Sequence, residues 1–273
     1  MNHVTDRNQS LKSIKHARHP VVILAGGLAK RLGDLTRDQP KCLVNVAGEP
    51  FLFHQLRLLS AQGVTQVTLC LGHLGEQVVQ AVGNGASFGL EIQYAFDGPT
   101  LVGTAGAIRS ALSQLTEQFF VLYGDSYLPC DFQSIQQAFQ GSDKLALMTV
   151  YRNEQQWDTS NVEFQAGQIL AYDKVNRTER MQHIDYGLGV FCKSVFEQIP
   201  AGQSCDLATI YQNLLTHNQL AAYEVAERFY EVGSHAGLEE TRMHLSRHAT
   251  SKNSLEGIEA ARGGDWTSGT FKH

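Results

Sequence analysis

Four apolar residues, Val21–Leu24, run directly into Ala25, Gly26 and Gly27, and this junction constrains the fold more than any other part of the chain. The run reads as a buried strand. A strand that empties into a small-residue turn leaves backbone N–H groups free to point at an anion. Lys30 and Arg31 follow, and Lys41 stands ten residues after Arg31, just behind Pro40. Cations spaced along one loop can close over that anion from the other side. The combination suits a polyphosphate. It is neither a G-x-x-x-x-G-K-[ST] loop nor a G-x-G-x-x-G loop.

Beyond this junction, strand-like and helix-like segments alternate. Apolar residues Phe51, Leu52, Leu56 and Leu59 give a helical face after Pro50, which suits a first helical position. Strands are predicted at Val64–Leu71, Leu90–Tyr94 and Phe119–Tyr123, with helices over Leu74–Val82 and Ala105–Leu115. Such alternation implies crossover connections and a mostly parallel sheet with helices on both faces. From Leu145 the pattern shifts to short strands, at Leu145–Tyr151, Asn161–Phe164, Gln168–Ala171, Asp185–Phe191 and Leu220–Val225, so a mixed sheet fits this half. Two helices, near Cys205–His217 and Ala236–His248, close the core. Residues 1–19 read as a polar extension, 20–248 as one domain, and 249–273 as a polar tail in which Trp266 and Phe271 stand out.

Composition excludes several classes of function. With 42% hydrophobic residues, the 273-residue chain can bury a sizeable core. A formal charge of −5 argues against nucleic acid or an anionic membrane as partner. The five cysteines are widely spaced and odd in number, without a C-x-x-C, and read as reduced thiols of a cytoplasmic protein. The first twenty residues hold no apolar core of a secretory signal, and no apolar run approaches a membrane span.

Two carboxylates draw notice. Asp125 is delivered by the apolar run Phe119–Tyr123 and follows Gly124, which allows close approach of a ligand. An aspartate at a strand end is also an ordinary turn or capping residue. Because Gly26 and Asp125 each follow a strand directly, both are expected on one rim, beyond the carboxyl ends of the strands. The other is Glu231, in Phe229-Tyr230-Glu231-Val232-Gly233-Ser234, which read alone is a solvated strand glutamate.

Taken together, Leu24-Ala25-Gly26-Gly27, Arg31-Leu32, Pro40-Lys41 and Gly48-Glu49-Pro50 resemble the signature of the sugar-1-phosphate nucleotidyltransferases, the nucleoside-diphosphate-sugar pyrophosphorylases. A second specific element is Val121-Leu122-Tyr123-Gly124-Asp125, and three looser ones are Leu101 to Ala107, Tyr172-Asp173-Lys174 and the segment around Glu231. The resemblance spans roughly residues 20–245. It implies an α/β, Rossmann-like, GT-A-like three-layer sandwich with a mixed, mostly parallel central sheet.

The resemblance also implies roles. Arg31 and Lys41 would clamp phosphates, while Leu24, Ala25, Gly26, Gly27, Gly103, Thr104 and Ala105 would hold the nucleotide. Asp125 would ligate a catalytic magnesium ion, joined by Glu231 in place of the family's usual aspartate, one methylene longer. Lys174 would hold the sugar phosphate and Asp185 would touch the sugar. Here Asp173 replaces the family's Glu and Val175 its Pro, and the Asn of the sugar-reading segment is missing. Lys30 falls at a variable position, and His73 reads as a surface residue bordering the same pocket.

The reaction implied joins a nucleoside triphosphate to a sugar 1-phosphate and releases pyrophosphate. The closest flavour is the compact bacterial subgroup, with GTP and mannose or heptose 1-phosphate first, and UTP with N-acetylmuramate or another hexose 1-phosphate as the alternative. A homo-oligomer is compatible with this. No hexapeptide repeat of an acyltransferase β-helix is present. Two rivals differ in class. A non-catalytic, nucleotide-sugar-sensing subunit would be expected to lose Arg31, Lys41 or Asp125, all of which are present. A metal-dependent glycosyltransferase would carry D-x-D where the chain reads Asp125-Ser126-Tyr127.

Overall fold

The structure, a computed structural model, describes residues 18–27, 30–98 and 102–247, with the side chains of Lys30 and Arg31 outside the description. In chain order the elements are β1 (Val21–Leu24), β2 (Asn45–Val46), β3 (Glu49–Pro50), α1 (Phe51–Ala61), β4 (Gln66–Leu71), α2 (Gly75–Val82), β5 (Glu91–Phe96), α3 (Gly103–Ala111) and β6 (Gln118–Tyr123). There follow β7 (Ser126–Tyr127), α4 (Phe132–Gln140), β8 (Ala146–Arg152), β9 (Val162–Gln165), β10 (Gln168–Tyr172), β11 (His183–Cys192), α5 (Ser194–Glu197), α6 (Leu207–Thr216), β12 (Leu220–Val225) and β13 (Tyr230–Glu231). A last helix covers 235–247.

Nine strands form the main sheet. Strands β5, β4, β1 and β6 lie side by side and parallel. Beyond them β11 runs antiparallel to β6 and β8, β12 joins β8 in parallel, and the β9–β10 hairpin attaches at His183. The sheet is therefore parallel in its first half and mixed in its second, as the change in sequence pattern at Leu145 implies.

Side-chain alternation along the strands divides the core in two. Val21, Ile23, Phe120 and Leu122 pack on one face with Leu52 and Leu56 of α1, Val78 of α2 and Phe132, Ile135 and Phe139 of α4. Val22, Phe119 and Val121 pack on the other with Ile108 of α3, Phe196 of α5 and Tyr211 of α6. This is a three-layer sandwich. A third, smaller cluster joins Leu32, Val44 and Val46 to Val232, Leu238 and Leu245, so the last helix lies against the loop that follows β1.

Helix α4 is absent from the elements predicted from sequence. Its apolar residues recur at the helical spacing Phe132, Ile135 and Phe139, and Asp131 caps it by accepting the Gln133 N–H at 2.8 Å. Its other face is rich in glutamine, which hides the period. Phe120 is fully buried against Phe132, ring centroids 5.1 Å apart. We expect Phe120→Ala to lower stability by about 3–5 kcal/mol, read from the urea midpoint.

Candidate active site

From β1 the chain winds outward to β4 and β5, then returns to place β6 on the other side of β1. The loops leaving β1 and β6 therefore diverge at the carboxyl ends of the strands, where a doubly wound sheet opens a crevice. Leu24 and Tyr123 lie in register, and the Gly124 N–H donates to the Leu24 carbonyl at 2.9 Å. A Cβ on Gly124 would stand 2.9 Å from that carbonyl oxygen and 3.0 Å from the Ala25 Cα, so only glycine lets the two loops meet.

A cavity opens here. It is lined by Leu24, Ala25, Gly26, Gly27, Gly103 and Thr104, together with Lys41, Cys42, Cys70, Asp97, Ala107, Tyr123, Gly124 and Asp125. Six of the seven residues expected at the nucleotide thus share one wall. The seventh, Ala105, is fully buried behind it and donates its N–H to the Cys205 carbonyl at 3.0 Å.

Lys41 is planted between buried Pro40 and buried Cys42, in a single helical turn. Its Nζ donates to Asp125 Oδ2 at 2.8 Å, with both side chains half-buried. Asp125 Oδ1 accepts the Ser126 hydroxyl at 3.3 Å, and the Asp125 carbonyl accepts the Val232 N–H at 2.9 Å. The structure therefore joins two of the three expected catalytic residues. The Arg31 side chain lies outside the described residues.

Tyr123 forms the partition to a second charged group. Its ring lines the cavity, and the Lys174 Nζ stands 5.4 Å from the ring centroid. Asp173 shapes the turn that presents Lys174, because its Oδ1 accepts the Val175 and Asn176 N–H groups at 2.7 and 2.8 Å. Asp185 accepts the Tyr172 hydroxyl at 3.2 Å and the Gly187 N–H at 3.1 Å. Burial pushes the Asp185 carboxyl up, and Lys174 and these donors pull it partly back. The Tyr123 phenol is raised by burial and by the charges of Asp185, Asp206 and Asp125.

Glu231 sits elsewhere. Its backbone pairs with Ser126, but its side chain folds onto the start of the last helix and is not part of the cavity wall. His73 is exposed and also outside the wall. Among the described residues, no three His, Cys, Asp or Glu side chains gather as a metal site. Asp125 still offers what a magnesium ion requires, a half-buried carboxylate oxygen open to a cavity, with substrate phosphates and water to complete the shell.

Three residues were not singled out from sequence. Asp97 follows β5 as Asp125 follows β6, and the same strand-end signal was there to be read. Tyr123 looks in sequence like one more strand residue. Gln55 interrupts the apolar face of α1 and is 1% exposed. Its Nε2 donates to the carbonyls of Tyr123 and Ser126, at 3.0 and 2.7 Å, and so holds the turn that carries Asp125 from below.

The fold and the rim define an α/β protein with a crevice beyond the carboxyl ends of β1 and β6. A family model described as nucleotidyl transferase matches residues 20–248, and the chain belongs to that family. It is 32% identical over 183 residues to the low-salt glycan biosynthesis nucleotidyltransferase Agl11 of Haloferax volcanii, which covers 65% of this chain and 50% of that protein. It is 27% identical over 227 residues to the N-acetylmuramate alpha-1-phosphate uridylyltransferase of Neisseria meningitidis serogroup B, covering 81% and 96%. The chain therefore spans half of the first relative and almost all of the second. Among solved structures, HddC from Yersinia pseudotuberculosis complexed with GMP-PN superposes with a TM-score of 0.69 at 20% identity, covering 83% and 99%. This last likeness concerns the fold.

Gln55→Met keeps the volume and removes both donors. We expect it to cost about 1–3 kcal/mol in the denaturant midpoint and to speed hydrogen exchange of the 124–126 amides.

Proposed function

We propose that the protein joins a nucleoside triphosphate to a sugar 1-phosphate, giving a nucleoside-diphosphate sugar and pyrophosphate. The Lys41–Asp125 pair carries this reading, because it sets a cation and a hard carboxylate on the rim beside the Gly26–Gly27 turn. The incoming phosphate is already an anion, so no general base is needed. Its oxygen bonds to the α-phosphorus, and the bond from that phosphorus to the bridging β-phosphate oxygen breaks. Repulsion between two polyanions is the obstacle, so positioning and charge do the catalysis.

Lys41 and Arg31 offset charge on the triphosphate and on departing pyrophosphate, and Lys174 holds the sugar phosphate across Tyr123. Asp125, with phosphate oxygens and water, would hold a magnesium ion that supplies further neutralisation of phosphate charge. A cytoplasmic enzyme with reduced thiols agrees with five free cysteines, and no described helix is long and apolar enough to cross a membrane.

Asp97 favours guanine. It lies in the cavity wall beside Cys70 and makes no ion pair among the described residues. An ionised carboxylate only accepts hydrogen bonds, and guanine offers two adjacent N–H donors on its pairing edge. Uracil offers one donor between two carbonyls that a carboxylate repels. GTP with a manno-configured or heptose 1-phosphate is therefore the preferred pair. One observation favours the uridine alternative: burial raises the Asp97 carboxyl, and a protonated Asp97 could donate to a uracil carbonyl.

The two readings have opposite signs with pH. If guanine is read, affinity for GTP rises as pH climbs through the raised Asp97 pKa, because the ionised form binds. If uracil is read, affinity for UTP falls over the same interval. Calorimetric titration across pH, with Asp97→Asn flattening the slope, decides between them.

Pyrophosphate release should be measured with magnesium across five nucleotides and a panel of sugar 1-phosphates. We expect turnover with GTP, and about 100-fold or greater loss of kcat in Lys41→Ala and Asp125→Asn. Normal turnover in either variant would sink the mechanism. Silence across the panel with intact GTP binding would favour the sensing subunit.

A further inference from the structure

We infer that Glu231 is a positioning residue that braces the Ser234 cap of the last helix and thereby fixes the Asp125 turn, and that it does not ligate metal. The inference rests on the proposed role of Asp125 and concerns how this chain supports it.

Both carboxylate oxygens of Glu231 bond to the segment just before the last helix. Ser234 accepts the Gly237 N–H at 3.0 Å and donates its hydroxyl to Glu231 Oε1 at 2.6 Å. The other carboxylate oxygen accepts the Gly233 N–H. The carboxylate so lies at the positive end of the helix, where an anion is favoured. Thr241 closes the arrangement from within the helix by donating to the Glu231 carbonyl at 2.9 Å.

Gly237 supplies an independent observation. Glycine in the first turn of a helix lowers its stability relative to alanine. Here a Cβ would overlap Glu231 Oε1 and stand 2.6 Å from its Cδ. The space of the missing side chain is filled by the carboxylate and by the Glu231 carbonyl oxygen, 2.7 Å from that Cβ position. The extra methylene of glutamate over aspartate carries the carboxylate into that space.

The cap reaches the site through two contacts. Val232, next to Glu231, donates its N–H to the Asp125 carbonyl at 2.9 Å. Val232, Leu238 and Leu245 also pack on Leu32 and Val44, which bracket the loop bearing Lys41. Loosening the cap should therefore loosen Asp125 and the Lys41 loop together.

The test compares wild type with Glu231→Ala, Glu231→Gln and Gly237→Ala, free of metal and nucleotide. Melting temperature should fall by roughly 2–4 °C in both alanine variants, the shift expected from losing one cap in a domain of this size. For Gly237→Ala this sign is opposite to helix propensity. Glu231→Gln, whose single amide oxygen can keep only one of the two bonds, should recover part of the loss. Hydrogen exchange of the Val232 amide should quicken in the alanine variants and slow part of the way back in the glutamine variant.

A second arm titrates magnesium against GTP binding by calorimetry. Glu231→Gln should leave the half-saturation unchanged, whereas loss of a true ligand would raise it on the order of tenfold or more. A Gly237→Ala protein that melts at or above wild type would overturn the inference, as would a tenfold magnesium shift in Glu231→Gln. Failure to bind any nucleotide would count against the functional reading alone, because the thermal arm does not involve it.

Discussion

The turn Tyr123-Gly124-Asp125-Ser126 is held from every side, and the rest of the site depends on it. Gln55 ties its two flanking carbonyls from below. The Leu24 carbonyl takes the Gly124 N–H, the Val232 N–H reaches the Asp125 carbonyl, and Lys41 takes the carboxylate. These partners come from α1, β1, the segment after β13 and the loop after β1. A carboxylate fixed in this way loses little freedom when it meets its ligand, which is what preorganisation requires. The sheet topology supplies the reason these elements converge, since β6 closes against β1 only after the chain has wound away and back.

Much of this architecture was legible from residues. Val21–Leu24 and Phe119–Tyr123 read as buried strands because both faces are covered, which forces uninterrupted apolar runs. The Gly26–Gly27 turn and Lys41 were legible because phosphate chemistry demands particular residue types at close spacing. Helix α4 was not, because its polar face is mostly glutamine and its apolar face holds three residues. Gln55 was hidden for a different reason. A buried glutamine matters through what it bonds to, and its partners stand about seventy positions away. The fate of the Glu231 side chain depended on the direction of a long rotamer and on space left by Gly237, neither of which is a local property of sequence.

Charge explains why the site needs its substrate. Among the described residues the cavity wall holds one cation, Lys41, and two carboxylates, Asp97 and Asp125. Lys41 and Asp125 neutralise each other at 2.8 Å, so neither is left as a bare half-buried charge. A bound triphosphate would take Lys41 and leave Asp125 to a hydrated cation, which exchanges one satisfied pairing for two. Asp97 has no such partner in the wall, and burial pushes its carboxyl up. The two carboxylates thus stand in different electrostatic settings, one paired with a cation and one held by burial alone.

One short segment serves both halves of the site. The Cys205 carbonyl accepts the N–H groups of Ala105 and Gly106, at 3.0 and 3.2 Å, and the Leu207 N–H donates to Thr104 Oγ1 at 2.7 Å. The wall expected to meet the nucleotide is thus pinned to the start of α6. That same start carries Asp206, whose charge helps raise Asp185 and Tyr123, the groups expected on the sugar side. A displacement at Cys205–Leu207 cannot move one half alone, because its backbone is bonded to one and its charge acts on the other. In the proposed reaction, the two substrates would lie on either side of Tyr123, between the cavity and Lys174, at a distance set by the same backbone bonds that shape the cavity wall.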